Sequence, residues 1–428
     1  MKKLFLTTSG SQFTYNGAPV RLYGVGLGNW LNLEHFMLGF PGTDAQIRHA
    51  FTTAYGAEQA DRFWSRYYEC YTDEADIAFV GQTGMNLVRI ALNHHLFDEN
   101  EFQNSIALRE IDRVLSCCQK HRVWALLDMH TAPGGQNPDW HSDNPDGVDR
   151  FWGDEQAQKQ MIELWRKIAD YYRDEQWIAG YDLLNEPCYF KSEYNKTLID
   201  FYSELTQQIR SVDSNHILFY EGNTYARDFS MFHENLDDNC AYTFHMYPFL
   251  QFPDKLDASD LRTLLQQGLD DVSMKRLQSL NRPLLCGETG HPHHLDHHVH
   301  ALSLFLDVLE KEHISWALWP LKDCGAMGIL YPTQNSMWHK LIQELTENWN
   351  FWDSFTKDSI LAVEDHDSRY AFYQGLIRET TRAWQIFSAH LIKTDFEQLY
   401  EALYDFQFKK TRRSEPLLSL ISEHINAS

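Results

Sequence analysis

Short, almost wholly apolar runs alternate along most of the chain with longer stretches in which apolar residues recur every three or four positions. The runs lie at 23–28, 85–90, 123–129, 177–187, 216–221, 241–245, 283–288 and 315–319. None carries a helical period, and their length suits strands buried on both faces. Between them, Leu108, Ile111, Val114 and Leu115 mark a helix over 107–121. Met161, Leu164, Trp165 and Ile168 mark a second, and Leu198, Phe201, Tyr202, Leu205 and Ile209 a third. Further helices are expected over 57–80, 259–280, 296–312 and 336–348. Eight strands alternating with helices predict an α/β fold, a closed (β/α)₈ barrel of the TIM type. An open doubly wound sheet would call for a phosphate-binding glycine loop after its first strand. Gly24-x-Gly26-x-Gly28 lacks that spacing.

Two additions flank the barrel. Residues 4–22 read as an N-terminal β-hairpin turning at Asn16-Gly17, a strong signal for a tight turn between strands. Past about residue 350 the strands cease. Tyr370, Tyr373, Leu376, Ile377, Trp384, Phe387 and Leu391 then keep helical spacing, as do Phe396, Leu399, Tyr400 and Leu403. No glycine- or proline-rich linker intervenes. The expected organisation is a catalytic barrel with its hairpin over 1–350, and a helical C-terminal extension over 351–428 packed on it.

Charge narrows the partners. Against 37 lysines and arginines stand 60 aspartates and glutamates, a net charge of −23. Such a surface repels nucleic acid and anionic membranes. No run is long enough to span a bilayer, and the N-terminal apolar patch is too short for a signal peptide. The seven cysteines are odd in number and form no C-x-x-C pair, so free buried thiols and a cytoplasmic setting are expected. The 14% aromatic content also suits stacking on sugar rings.

Polar residues gather where the strands stop, and in a barrel those ends share one face, the catalytic one. Glu186, between Asn185 and Pro187, reads as a general acid/base held by a rigid strand. Glu288 ends the seventh strand across the mouth from it. Two carboxyls facing one sugar-sized gap suit a retaining glycosidase, in which one attacks the anomeric carbon and the other protonates the leaving oxygen. The acid then needs a raised pKa, and Arg89 and Tyr247 are the expected groups to keep Glu288 ionised. Asp128 and Asn223 read as caps or backbone partners.

The chain resembles glycoside hydrolase family 5 of the cellulase superfamily over roughly residues 15–330, most closely its exo-β-glucanase and glucosylceramidase-like branches. The resemblance is carried by Gly28-Asn-Trp-Leu-Asn-Leu-Glu34, Gly84-Met-Asn-Leu-Val-Arg89, Asp128-Met-His-Thr-Ala-Pro-Gly-Gly-Gln-Asn137, Leu184-Asn-Glu-Pro187, His245-Met-Tyr247, Gly287-Glu288 and Trp319. It implies a metal- and cofactor-free β-glycosidase with Glu186 as acid/base and Glu288 as nucleophile. Arg89, His130, Asn185, His245 and Tyr247 would complete the pocket, with Trp319 as stacking platform. Asn29, Glu34, Gln136 and Trp140 join as sugar-binding candidates. The chain departs from the family after Asn137, where Asp139, Trp140 and His141 would build a different rim. A carbohydrate is the expected partner: a β-glucoside or β-glucan oligosaccharide, or alternatively a glucosylated lipid. A catalytically inactive sugar-binding barrel is the rival reading. The histidines of 291–300 invite a metal, but their single carboxylate and lack of cysteine favour a solvated or substrate-lining loop.

Overall fold

Eight parallel strands close into a barrel in the computed structural model, which describes residues 3–98, 100–189, 194–251, 259–270, 274–295, 298–350 and 366–426. The barrel strands are β4 (Tyr23–Leu31), β5 (Leu87–Leu92), β6 (Trp124–Met129), β7 (Ile178–Asp182), β8 (Ile217–Glu221), β9 (Cys240–His245), β10 (Leu284–Thr289) and β11 (Ser315–Leu318). They pair in chain order, and β11 returns to β4 through Trp316–Tyr23, Ala317–Gly24 and Leu318–Val25. Their side chains are buried almost throughout, as expected of strands covered by helices on one face and filled on the other.

Long helices follow most strands: Ile106–His121, Glu155–Tyr172, Tyr194–Arg210, His298–Lys311 and Met337–Thr346. The expected helix over 57–80 is two, Ala57–Tyr71 and Glu74–Gln82. Asp73 caps the second with a reciprocal hydrogen bond to Asp76. A further helix, Asp44–Tyr55, begins at a Thr43–Gln46 capping box inside what reads as an irregular excursion. The 259–280 stretch contains Leu261–Leu269 and Lys275–Ser279, and residues 271–273 lie outside the described ones. Between β8 and β9 the described helix is one short turn, Asn223–Ala226, in which Thr224, Tyr225 and Ala226 all have φ near +57°. L-residues avoid that conformation, so the turn is held by its surroundings rather than by its own preference.

The N-terminal hairpin is in fact a three-stranded sheet, β1 (Leu6–Ser9), β2 (Gln12–Tyr15) and β3 (Ala18–Val20). Asn16 (φ 52°) and Gly17 (φ 77°) turn the second pair as expected, and Gly10 (φ 56°) turns the first. Leu6, Phe13 and Leu22 pack with Leu87, Trp124, Leu126, Ile217 and Phe219 from the barrel's N-terminal end, which the sheet stoppers.

Beyond the barrel the chain forms helices His366–Leu391, Phe396–Ala402 and Glu415–Asn426, the last without a sequence signal read above. Phe387 stacks on Phe40 at 4.8 Å and Phe406 packs on Trp338 at 4.9 Å. A short strand pair, β12 (Leu330–Tyr331) with β13 (Arg412–Arg413), ties the two parts together. Buried Lys322 does the same: its Nζ reaches Asp76 (2.7 Å) and donates to the carbonyls of Tyr71 (2.7 Å) and Phe406 (2.8 Å). All seven cysteines are unpaired. Among the described residues no helix is long and apolar enough to cross a membrane.

Candidate active site

Arg89 lies at the centre of the barrel's C-terminal mouth, fully buried in the middle of β5. Its guanidinium meets four carboxylates: Asp182 at 2.8 Å through Nε, Glu288 at 2.6 Å and Asp128 at 3.1 Å through Nη1, and Glu221 at 3.0 Å through Nη2. Nη2 also donates to Asn185 Oδ1 at 2.8 Å. One rigid fork therefore sets the positions of groups from β6, β7, β8 and β10, a task suited to five fixed N–H donors and not to a lysine.

Glu288, near the end of β10, is held on both oxygens, Oε1 by Arg89 and Oε2 by the Tyr247 hydroxyl at 2.8 Å. The two partners expected to orient it do so. Glu186 does not end its strand. The β7 ladder stops at Asp182, and Leu183–Glu186 continue as a loop whose Asn185 N–H donates to the Met129 carbonyl at 2.9 Å. Glu186 itself takes φ 47°, and its N–H donates to Glu221 Oε2 at 2.6 Å. The strand thus ends ahead of Glu186, whose left-handed turn is clamped by Glu221.

Two histidines flank the Glu186 carboxylate, His245 Nδ1 at 2.8 Å on Oε1 and His141 Nε2 at 3.1 Å on Oε2. Burial pushes this carboxyl up, but the hydrogen bonds from His141 and His245 outweigh it and hold it below the usual range. The acid-raising environment expected for this residue is thus reversed, because two imidazoles stand where an apolar wall would be needed. Burial lowers His245, yet Glu288 and Glu221 beside it carry it well above its ordinary value. His141 is likewise lowered by burial and raised by Asp139 and Glu186 to about 10. One oxygen of Glu186, one of Glu288 and a ring nitrogen of His245 all lie within 4.8 Å of one another. Among the described residues these are the only three His, Cys, Asp or Glu groups gathered closely enough to share an ion. A cation there would compete with Arg89 and Tyr247 for Glu288. Of the histidine-rich stretch, Asp296 and His297 lie outside the described residues.

His130 and Trp319 form one wall, their rings 5.4 Å apart and within 3° of parallel. Asp128 Oδ2 lies 2.6 Å from His130 Nδ1, so Asp128 orients that ring and pairs with Arg89; it is not the cap it seemed. Burial lowers His130 to about 3, leaving its ring neutral. The Trp319 ring lies over β4. A Cβ on Gly26 would come within 2.1 Å of it and one on Gly28 within 2.5 Å, which accounts for those two glycines, whereas one on Gly24 would meet Leu87 at 2.9 Å. Glu34 faces His130 at 3.6 Å, and burial pushes its carboxyl well above the carboxylate range.

Other expected site residues stand behind this lining. Gln136 spends its amide on backbone, donating to the carbonyls of His130 (2.8 Å) and Asn185 (3.0 Å) and accepting from Ala132 N–H (2.9 Å). Asn29 accepts from the Glu34 N–H at 2.9 Å and donates to the Tyr71 hydroxyl at 3.2 Å. Both brace the loops that carry the lining. Trp140 stacks on His35 at 4.4 Å and packs with Leu376 of the C-terminal helix, forming a rim wall. Asn223 serves backbone, its amide bridging Tyr189 N–H (3.1 Å) and carbonyl (3.3 Å). Asp182 was not singled out by the sequence, where its only signal was an acidic residue at the end of an apolar run. Glu221 is readable there as a polar residue at a strand end, but without a role.

Residues 42–325 match the model of the cellulase family, glycosyl hydrolase family 5. A β-xylosidase of Phanerodontia chrysosporium is 33% identical over 361 residues, which cover 79% of this chain and 75% of that protein. Endoglucanase C of Acetivibrio thermocellus is 30% identical over 197 residues, 44% of this chain and 54% of its own length. A solved endogalactoceramidase shares the fold at 17% identity with a TM-score of 0.55, covering 75% of this chain and 76% of its own. The family model runs from the first crossover through the eighth strand and takes in Arg89, Glu186 and Glu288 on its way. The chain accordingly belongs to glycosyl hydrolase family 5 and is a β-glycosidase that acts on carbohydrate.

Proposed function

We propose that the chain is a retaining β-glycosidase, with Glu288 the nucleophile and Glu186 the acid/base, acting on β-linked glucosides or the pentose analogue, β-xylosides. The observation that carries this reading is the gathering of Glu186, His245 and Glu288 atoms within 4.8 Å. Retaining enzymes keep their carboxyls about 5–5.5 Å apart, whereas inverting ones leave a water-sized gap of about 6.5–9.5 Å. Glu288 is held on one oxygen by Arg89 and on the other by the Tyr247 hydroxyl, which fixes the orientation an attacking carboxylate needs. In the first half-reaction a Glu288 oxygen bonds to the anomeric carbon as that carbon's bond to the leaving oxygen breaks and Glu186 supplies the proton. In the second, Glu186 takes a proton from water, which displaces Glu288. Trp319 offers a flat apolar face for the sugar and Asn185 an amide for its 2-hydroxyl. The β-xylosidase relative supports including xylosides beside the glucosides.

The test is a panel of aryl β-glucosides and β-xylosides, with 2-deoxy-2-fluoro analogues to trap the glycosyl-enzyme. Glu186→Ala and Glu288→Ala should each lower kcat by about 10²–10⁴-fold, the range for a positioned acid/base or more. Labelling is expected on the peptide containing Glu288. Retained turnover in either variant, or a trapped sugar elsewhere, refutes the assignment. An inactive sugar-binding barrel would bind the panel without turning it over.

A further inference from the structure

His141 belongs to the segment in which this chain leaves the family pattern, and its ring lies against the residue read as the acid/base. The loop that carries it is locked by its own side chains. Asp139 accepts from Trp140 N–H at 2.7 Å, Ser142 Oγ donates to the carbonyls of Asn137 (3.1 Å) and Asp139 (2.8 Å), and Asn144 donates to the Asn137 carbonyl at 2.8 Å. Asn32 donates to the carbonyl of His141 itself at 3.0 Å. From outside, Gln374 of the C-terminal helix donates to the carbonyls of Asp146 (2.8 Å) and Gly147 (3.1 Å). The His141 side chain is 11% exposed, so it is a fixed wall of the site and not a surface imidazole.

The ring is served in either protonation state. When Nε2 carries a proton it faces Glu186 Oε2 at 3.1 Å, while Nδ1 faces Asp139 at 3.8 Å. When Nε2 is bare, Asn137 Nδ2, also 3.1 Å away, can donate to it while its other hydrogen stays on the Glu186 carbonyl at 3.0 Å. The charged and titratable groups that face it are Asp139 on its own loop, Glu34 and His35 after β4, Asp128 and His130 from β6 and after it, and Glu186 after β7. The Tyr225 ring, after β8, completes the surround at 6.2 Å.

We propose that His141 is a positioning residue that holds the leaving-group proton for Glu186, so that the acid of the reaction is a His141–Glu186 pair backed by Asp139 and Asn137. This rests on the reading of Glu186 as acid/base. At rest the pair is imidazolium and carboxylate. As the aglycone oxygen develops charge, the proton passes from His141 Nε2 to Glu186 Oε2, and the vacated nitrogen lone pair accepts from Asn137. From Glu186 the proton goes to the leaving oxygen as its bond to the anomeric carbon breaks. In the second half-reaction the attacking water's proton returns through Glu186 to His141. The pair holds one proton before and after each turnover. The arrangement answers the low proton affinity that two flanking histidines impose on Glu186.

The test compares the full chain with its His141→Gln and Asp139→Asn variants on phenyl, 4-nitrophenyl and 2,4-dinitrophenyl β-glucosides and β-xylosides. The basic limb of kcat/KM reports loss of the pair's proton in the free enzyme. Because His141 is raised to about 10 in the folded protein, that limb should lie well above neutrality in the parent. It should move to lower pH in His141→Gln, and in the same direction but less in Asp139→Asn. At neutral pH His141→Gln should lose about tenfold or more on phenyl glycosides, a modest share of a full acid contribution. It should lose little on 2,4-dinitrophenyl glycosides, whose leaving group needs no proton. An unmoved basic limb, or an equal loss across the series, overturns the proposal. If His141→Gln melts early by circular dichroism, Asp139→Asn decides alone. Should Glu186→Ala retain activity, the fault lies instead with the assignment of Glu186.

Discussion

Arg89 shows how much of this site a single side chain can organise. Four carboxylates and one amide take their positions from its five N–H groups, and it has no access to water. Truncating it would leave those acids buried without a counter-charge, which costs roughly 3–5 kcal/mol when one partner of a buried pair is removed. Arg89→Met should therefore lower the midpoint of urea unfolding sharply. Arg89→Lys, which keeps the charge but loses the fork, should unfold closer to the parent yet lose most of its turnover. Burial and the neighbouring Glu221 push the Asp182 carboxyl well above its ordinary range, which spares the arginine part of the surrounding negative charge. Residue identities at the strand ends were readable in advance because an isolated polar group after an apolar run has few other uses. The roles of Gln136, Asn29 and Asp128 were not. An amide or carboxyl can serve a ligand or a backbone group equally well, and only its neighbours decide which.

Elements divide along a similar line. The barrel strands declared themselves through apolar content, and the regular helices through their period, because both patterns follow from burial. Turns and caps were harder. The Gly10 turn that makes the N-terminal sheet three-stranded, the Thr43 and Asp73 capping boxes, and the left-handed Thr224–Ala226 segment depend on one or two side chains each. Gly26 and Gly28 of β4 were visible but unexplained until the Trp319 ring was seen to lie over them. A methyl group on Gly26 would have to displace that ring. Gly26→Ala should lower kcat/KM about as far as Trp319→Ala does, while overpacking costs about 1–3 kcal/mol of stability. If kinetics are unchanged in Gly26→Ala, the ring does not carry the sugar.

At the scale of the whole molecule, the helices past residue 366 join the barrel through Lys322, through β12 with β13, and through Phe387 and Phe406. Helix Glu415–Asn426 adds Leu417, Leu420 and Ile421 to the same continuous core. These contacts lead to the expectation that barrel and C-terminal helices unfold together. Calorimetry of the full chain should give one transition, and truncation after Thr394 should lower its midpoint, since it strips Phe406 from Trp338 and from the Lys322 amine. Two well-separated transitions would argue for independent units. The His366–Leu391 helix also clamps the rim through Gln374 and Leu376, so strain introduced there should be felt in catalysis as well as in stability.

The three-stranded sheet stoppers the end of the barrel opposite the catalytic mouth, and Lys3 and Leu4 ahead of it meet Asp174 and Gln176 on that far side. An enzyme grafted to a bead or electrode through a linker at that point would stand with its cleft turned outward. Its substrates could then arrive from the bulk liquid without threading past the support.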